Sequence, residues 1–70
     1  MKIKYRHVGN PKIEKTHDTE KAYVNMDFAI HDPQSKLYNI TQKEFDQIQL
    51  ETFKRDKQRG IICDYEIIEF

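Results

Sequence analysis

Four side chains in the sequence belong to types that bind zinc or act as nucleophiles: His7, His17, His31 and Cys63. Zinc sites hold their ligands at short, regular spacings, such as two cysteines two to four residues apart. The three histidines lie in three separate segments and the cysteine is single, so no such spacing occurs. We therefore expect neither a metal site nor a cofactor.

Catalytic motifs are also missing from the sequence. Cys63 lies in an alternating apolar stretch, where a cysteine is usually a small core residue rather than a nucleophile. The chain has no nucleophile elbow, paired-acid motif or glycine-rich phosphate loop. Its two glycines, Gly9 and Gly60, are explained by a turn and a helix end. The sequence predicts a protein that is not an enzyme.

The composition predicts one small domain over residues 1–70. Only 37% of the residues are apolar and none is tryptophan, so the core is small. The 12 basic and 12 acidic residues cancel, which argues against a protein built mainly to coat nucleic acid or an anionic membrane. A single cysteine, with no signal peptide or long apolar run, predicts a soluble cytoplasmic protein.

The clearest element is a helix over Thr41–Arg59. Thr41 and Glu44 have the spacing of a capping box, in which each side chain binds the backbone N–H of the other residue. Phe45 and Phe53 lie on one apolar stripe at helical spacing. Gly60 follows as the left-handed residue that commonly ends a helix.

Three stretches have the alternation of β-strands. Met1–Val8 alternates apolar and basic residues, Gly9-Asn10-Pro11 predicts a turn, and Lys12–His17 predicts a returning strand. In the last strand, Ile61–Phe70, a strict period of two gives two mixed faces. One face carries Ile61, Cys63, Tyr65 and Ile67, and the other carries Ile62, Asp64, Glu66 and Ile68.

Residues 18–30 are ambiguous between helix and strand. Asp18 or Thr19 could cap a short helix. Alternating apolar residues from Ala22 to Ile30 favour a strand instead, and we prefer strand character in the second half of this region. The sequence leaves both alternatives open.

These elements predict a small α+β domain in which about three antiparallel strands are covered on one face by the Thr41–Arg59 helix. The element order is two strands, a strand or short helix, the long helix and a last strand. Residues 1–15 carry five basic residues against one acid, and residues 61–70 carry three acids and no base. We expect the first and last strands to be neighbours whose charges complement each other.

Two binding surfaces are compatible with this fold. Apolar residues that a small core leaves over would mark a protein interface, either with another protein or in a homodimer. The candidates for that interface are Leu50, Ile62, Ile68 and Phe70. Alternatively, basic residues of the first two strands would bind nucleic acid. The candidates for that surface are Lys2, Lys4, Arg6 and Lys12.

The segments Lys2–Pro11, Thr41–Asp46 and Phe53–Ile62 resemble short uncharacterised proteins of phages, prophages and mobile elements of Gram-positive bacteria. The resemblance implies an accessory protein that binds a host protein and inhibits or redirects it. It assigns no functional residue. We therefore expect a non-enzymatic protein-binding factor, with a nucleic-acid-binding regulator as the alternative.

Overall fold

The computed structural model describes residues 1–70 and contains three strands and three helices. The strands are β1 (Lys2–His7), β2 (Asn10–Asp18) and β3 (Ile62–Glu69). The helices are α1 (Thr19–Asn25), α2 (Asp27–Ile30) and α3 (Gln42–Gln58). The sheet order is β2-β1-β3 and both pairings are antiparallel. The predicted α+β class and three-stranded sheet are confirmed.

Helix α3 begins and ends as the sequence predicts. Thr41 Oγ1 accepts the Glu44 N–H at 3.2 Å, and the Glu44 carboxylate accepts the Thr41 N–H at 3.2 Å, which completes the capping box. At the other end Arg59 is the C-cap, and Gly60 follows with φ 75°. Because a left-handed residue costs little only for glycine, Gly60 turns the chain from α3 into β3.

Aromatic side chains join α3 to one face of the sheet. The Phe53 ring lies 5.0 Å from the Tyr5 ring and 6.0 Å from the Tyr65 ring, measured between centroids. Phe45, one turn into the helix, is only 3% exposed and meets Tyr23 of α1 edge-on at 5.6 Å. Side chains of β1 and β3 that face α3 therefore form the core, and the opposite face of the sheet has no helix over it.

Residues 19–30 form α1 and α2, so our preference for a strand there was wrong. Asp18 is the N-cap of α1, and its carboxylate accepts the Glu20 N–H at 3.0 Å. The buried Thr19 donates both its N–H and its hydroxyl to the Met1 carbonyl, each at 2.9 Å. Local capping, anchored by this contact with the start of β1, outweighs the alternating apolar pattern.

The hairpin between β1 and β2 turns one residue earlier than predicted. His7 pairs with Asn10, so Val8 and Gly9 form the turn and Pro11 lies within β2. Gly9 has a negative φ, and its tolerance of left-handed geometry is therefore not used. Proline fits in β2 because this strand is at the edge of the sheet, where a missing N–H leaves no partner unpaired.

The prediction that Ile62 shares a face with the acids of β3 is also wrong. Ile62 pairs with His7, whereas Asp64 pairs with Arg6, so one extra residue, Cys63, is inserted at this point. Residues directly opposite each other in a sheet share a face, and Ile62 therefore lies on the α3 side with His7. Ile62 is 3% exposed and belongs to the core.

Candidate protein-binding edge

The face of the sheet that α3 leaves uncovered carries a ladder of ion pairs between β1 and its neighbours. Lys2 lies 3.4 Å from Glu69, and Arg6 forms two hydrogen bonds with the Asp64 carboxylate. Lys4 lies between Glu66 of β3, at 3.7 Å, and Glu14 of β2, at 3.8 Å. The predicted charge complementarity between the first and last strands is confirmed.

The hydrogen bonds from the Arg6 guanidinium lower the pKa of Asp64, because they stabilise the carboxylate. Asp64 therefore takes up a proton at a lower pH than an ordinary aspartate does. Arg6 and Asp64 are directly opposite each other in the β1–β3 ladder. Both side chains are close to half exposed, so we assign the contact little weight in the stability of the fold.

In this ladder, acidic residues neutralise most of the basic residues predicted to bind nucleic acid. Lys2, Lys4 and Arg6 all lie on the uncovered face, as the alternation of β1 predicts, and each has an acidic partner. Lys12 is exposed on β2 and makes no ion pair. A phosphate backbone approaching β1 would first meet the carboxylates beside each base, which weakens the electrostatic attraction.

A shallow pocket of about 460 Å³ lies on the same face, lined mainly by these paired charges: Lys4, Tyr5, Arg6, Glu14, Asp64, Tyr65 and Glu66. Each base and acid of this pocket already has a partner of opposite charge, although the carboxylates of Asp64 and Glu66 remain partly exposed. No cluster of three histidine, cysteine or acidic side chains is close enough to hold a metal ion. The arrangement gives no support for catalysis or cofactor binding at this face.

The two edges of the sheet differ in how they are protected. On β2, Pro11 removes a backbone donor, and Lys12 and Lys15 are exposed, features that discourage another strand from pairing. On β3, neither proline nor any basic residue occurs between Ile62 and Glu69. The backbone groups of β3 that point away from β1 have no partner strand, because β3 is the last strand of the sheet.

The predicted protein-binding residues separate into different environments. Ile68, 48% exposed, and Phe70, 93% exposed, lie at the end of β3. Leu50 is half-buried on α3, and Ile62 is in the core, so the side chain of Ile62 is not available to a partner. We define the edge surface as the outer backbone edge of β3 together with Ile68 and Phe70.

Cys63 adds a further exposed group to β3. Our expectation that it is a core residue is wrong, because the register shift next to it puts Ile62 in the core and leaves Cys63 exposed. It is the only cysteine in the chain. It therefore provides a single site for a chemical label on β3.

Sequence reasoning missed a second exposed apolar pair, Val24 on α1 and Phe28 on α2. These side chains are 69% and 75% exposed, although the strand prediction placed both in an alternating apolar set. The signal that could have found them is the Asp18 cap. Starting a helix there puts Tyr23 against the core and turns the next residue, Val24, away from it.

Comparison of the chain with models of known protein families, with characterised proteins and with solved structures gives no match. None of the three helices has both the length and the apolar character required to cross a bilayer.

Proposed function

We propose that this protein is a non-enzymatic accessory factor that binds another protein through the edge surface. The observation that carries the proposal is the unpaired outer edge of β3, next to the exposed side chains of Ile68 and Phe70. Unpaired backbone donors and acceptors are a template for an additional strand, and neighbouring apolar groups provide contact area. The resemblance to small phage and mobile-element proteins favours a host protein as the partner.

The nucleic-acid alternative has less support. The bases of β1 are matched by carboxylates at 3.4 to 3.8 Å, in addition to the Arg6–Asp64 pair. The edge surface, in contrast, has unpaired hydrogen-bonding groups and exposed apolar area, which are the features of a protein interface.

The proposal predicts that polar replacement of the edge side chains removes the partner. The test is a pull-down from a Gram-positive bacterial lysate with the tagged protein, with and without nuclease, quantified by mass spectrometry. The double variant Ile68→Ser/Phe70→Ser should capture at least about tenfold less of a partner protein whose binding survives nuclease treatment. A tenfold loss of affinity corresponds to about 1.4 kcal/mol of binding free energy. Both residues are exposed, so we expect the variant to fold.

The matched control is Val24→Ser/Phe28→Ser, which also replaces two exposed apolar side chains with serine but is on α1 and α2 instead of β3. We expect it to retain the partner as the unaltered protein does. Equal retention by both double variants would contradict the proposal. Retention of nucleic acid alone, lost with nuclease or moderate salt, would instead favour the alternative.

A further inference from the structure

The pairing of β3 with β1 indicates which residues a strand added at the free edge of β3 would need. Within the regular part of the β1–β3 ladder, Ile3 faces Ile67, Lys4 faces Glu66, Tyr5 faces Tyr65 and Arg6 faces Asp64. Apolar residues of β1 therefore meet apolar residues of β3 on the α3 side, and bases meet acids on the uncovered side. The complement of Asp64–Ile67 is an extended segment in which apolar and basic residues alternate.

The acids of β3 can accept a second basic neighbour. After pairing with β1, the side chains of Asp64, Glu66 and Glu69 still keep 47%, 68% and 64% of their exposure. A strand added at the outer edge places its side chains beside those of β3 on each face, since opposite residues in a sheet share a face. Bases on the uncovered side would bind the exposed part of these carboxylates.

Resting on the proposed function, we infer that the partner contributes a short extended segment of alternating apolar and basic residues, which adds to β3 as a fourth strand. Register shifts at Cys63 and Ile68 limit the regular part of the edge to Asp64–Ile67. The ladder is therefore about four residues long, and the apolar contact with Ile68 and Phe70 lies at one end of it. Because the contact is this small, we expect an isolated segment to bind weakly.

The charges of β3 disfavour a second copy of the chain as the occupant. Two β3 strands could pair edge to edge in one continuous sheet with their helices on the same side. The two uncovered faces would then form one surface, and the side chains of one β3 on that surface would lie beside those of the other. That face carries Asp64, Glu66 and Glu69 and no base of β3. Like charges directly opposite each other are destabilising, whereas a basic segment removes the repulsion.

The probe that tests this inference is a peptide with the sequence of residues 2–8, Lys-Ile-Lys-Tyr-Arg-His-Val, blocked at both ends and carrying a fluorophore. A peptide with glutamate at its three basic positions is the charge control. Fluorescence anisotropy with the full chain should give at least about tenfold weaker binding for the acidic peptide, and binding of the basic peptide should weaken as salt is added. Amide chemical shifts should change along β3.

Two double variants of the chain test whether peptide binding depends on the acids of β3 specifically. The variant Glu66→Gln/Glu69→Gln should bind the basic peptide severalfold more weakly than the unaltered protein does. The control variant Glu20→Gln/Glu51→Gln, at exposed helix positions, should bind it equally well. Equal binding of both peptides, shifts that map away from β3, or a dimer in sedimentation equilibrium that occupies β3 would overturn the inference. If the peptide fails but the lysate partner still requires Ile68 and Phe70, the segment chemistry is wrong and the proposed function stands. Failure of both tests removes the proposed function as well.

Discussion

Replacing Phe45 with alanine is expected to lower the free energy of unfolding by about 3–5 kcal/mol, the usual cost of removing a buried aromatic side chain. Phe45 is 3% exposed and packs edge-on against Tyr23, so the replacement removes this aromatic contact between α3 and α1 as well as buried area. A domain of this size has only a few kcal/mol of stability. We therefore expect urea titrations followed by circular dichroism to show an early transition or none.

The control for this experiment is Phe28→Ala, which removes the same side chain from a position that is 75% exposed. Its free energy of unfolding should stay within about 0.5 kcal/mol of the unaltered protein, as is usual for surface positions. Equal losses at the two positions would contradict the core described above. So would a cost below about 1 kcal/mol at Phe45, far less than burial predicts.

The second prediction tests the register shift in β3 with a matched pair of isoleucines. Ile62→Ala should cost about 2–5 kcal/mol because the side chain is buried on the α3 side. Ile68→Ala, at a position 48% exposed, should cost less than about 1 kcal/mol. Urea titrations of both variants under one set of conditions measure the difference. Similar losses of unfolding free energy for the two variants would contradict the register shift. They would indicate that Ile62 and Ile68 share one face of β3, as strict alternation along the strand requires.

The elements that the sequence predicts well are those specified by neighbouring residues. The Thr41–Glu44 capping box and Gly60 locate both ends of α3 from side chains a few positions apart. The alternation of Lys2–His7 gives β1 and the correct face for each of its bases. Opposite charges at the two ends of the chain also predict that β1 and β3 are neighbours.

The errors arise where tertiary contacts decide between local alternatives. In residues 19–30, alternation and capping compete, and the contact of Thr19 with Met1 anchors the helical alternative. In β3, the extra residue at Cys63 is a property of pairing with β1, which no period within β3 reveals. A shift of one residue exchanges the faces, and for that reason Ile62 and Cys63 were both assigned to the wrong environment.

The sequence predicts the apolar residues of the candidate site but not the unpaired strand edge beside them. The sequence identifies Ile68 and Phe70 as apolar side chains that a small core leaves over, and both are exposed in the structure. The unpaired edge itself depends on strand order, which places β1 in the centre and β3 outside. Until that order is known, the same strand fits an interior position equally well.

Amide hydrogen exchange along β3 tests the central claim most directly. It should be measured by NMR for the protein alone and for the protein saturated with the partner that the pull-down captures. In the free protein, the β3 amides that do not donate to β1 should exchange rapidly, since no strand covers them. In the complex, those amides between Asp64 and Ile67 should become protected. Unchanged exchange along β3, with new protection around Val24 and Phe28 instead, would contradict the claim.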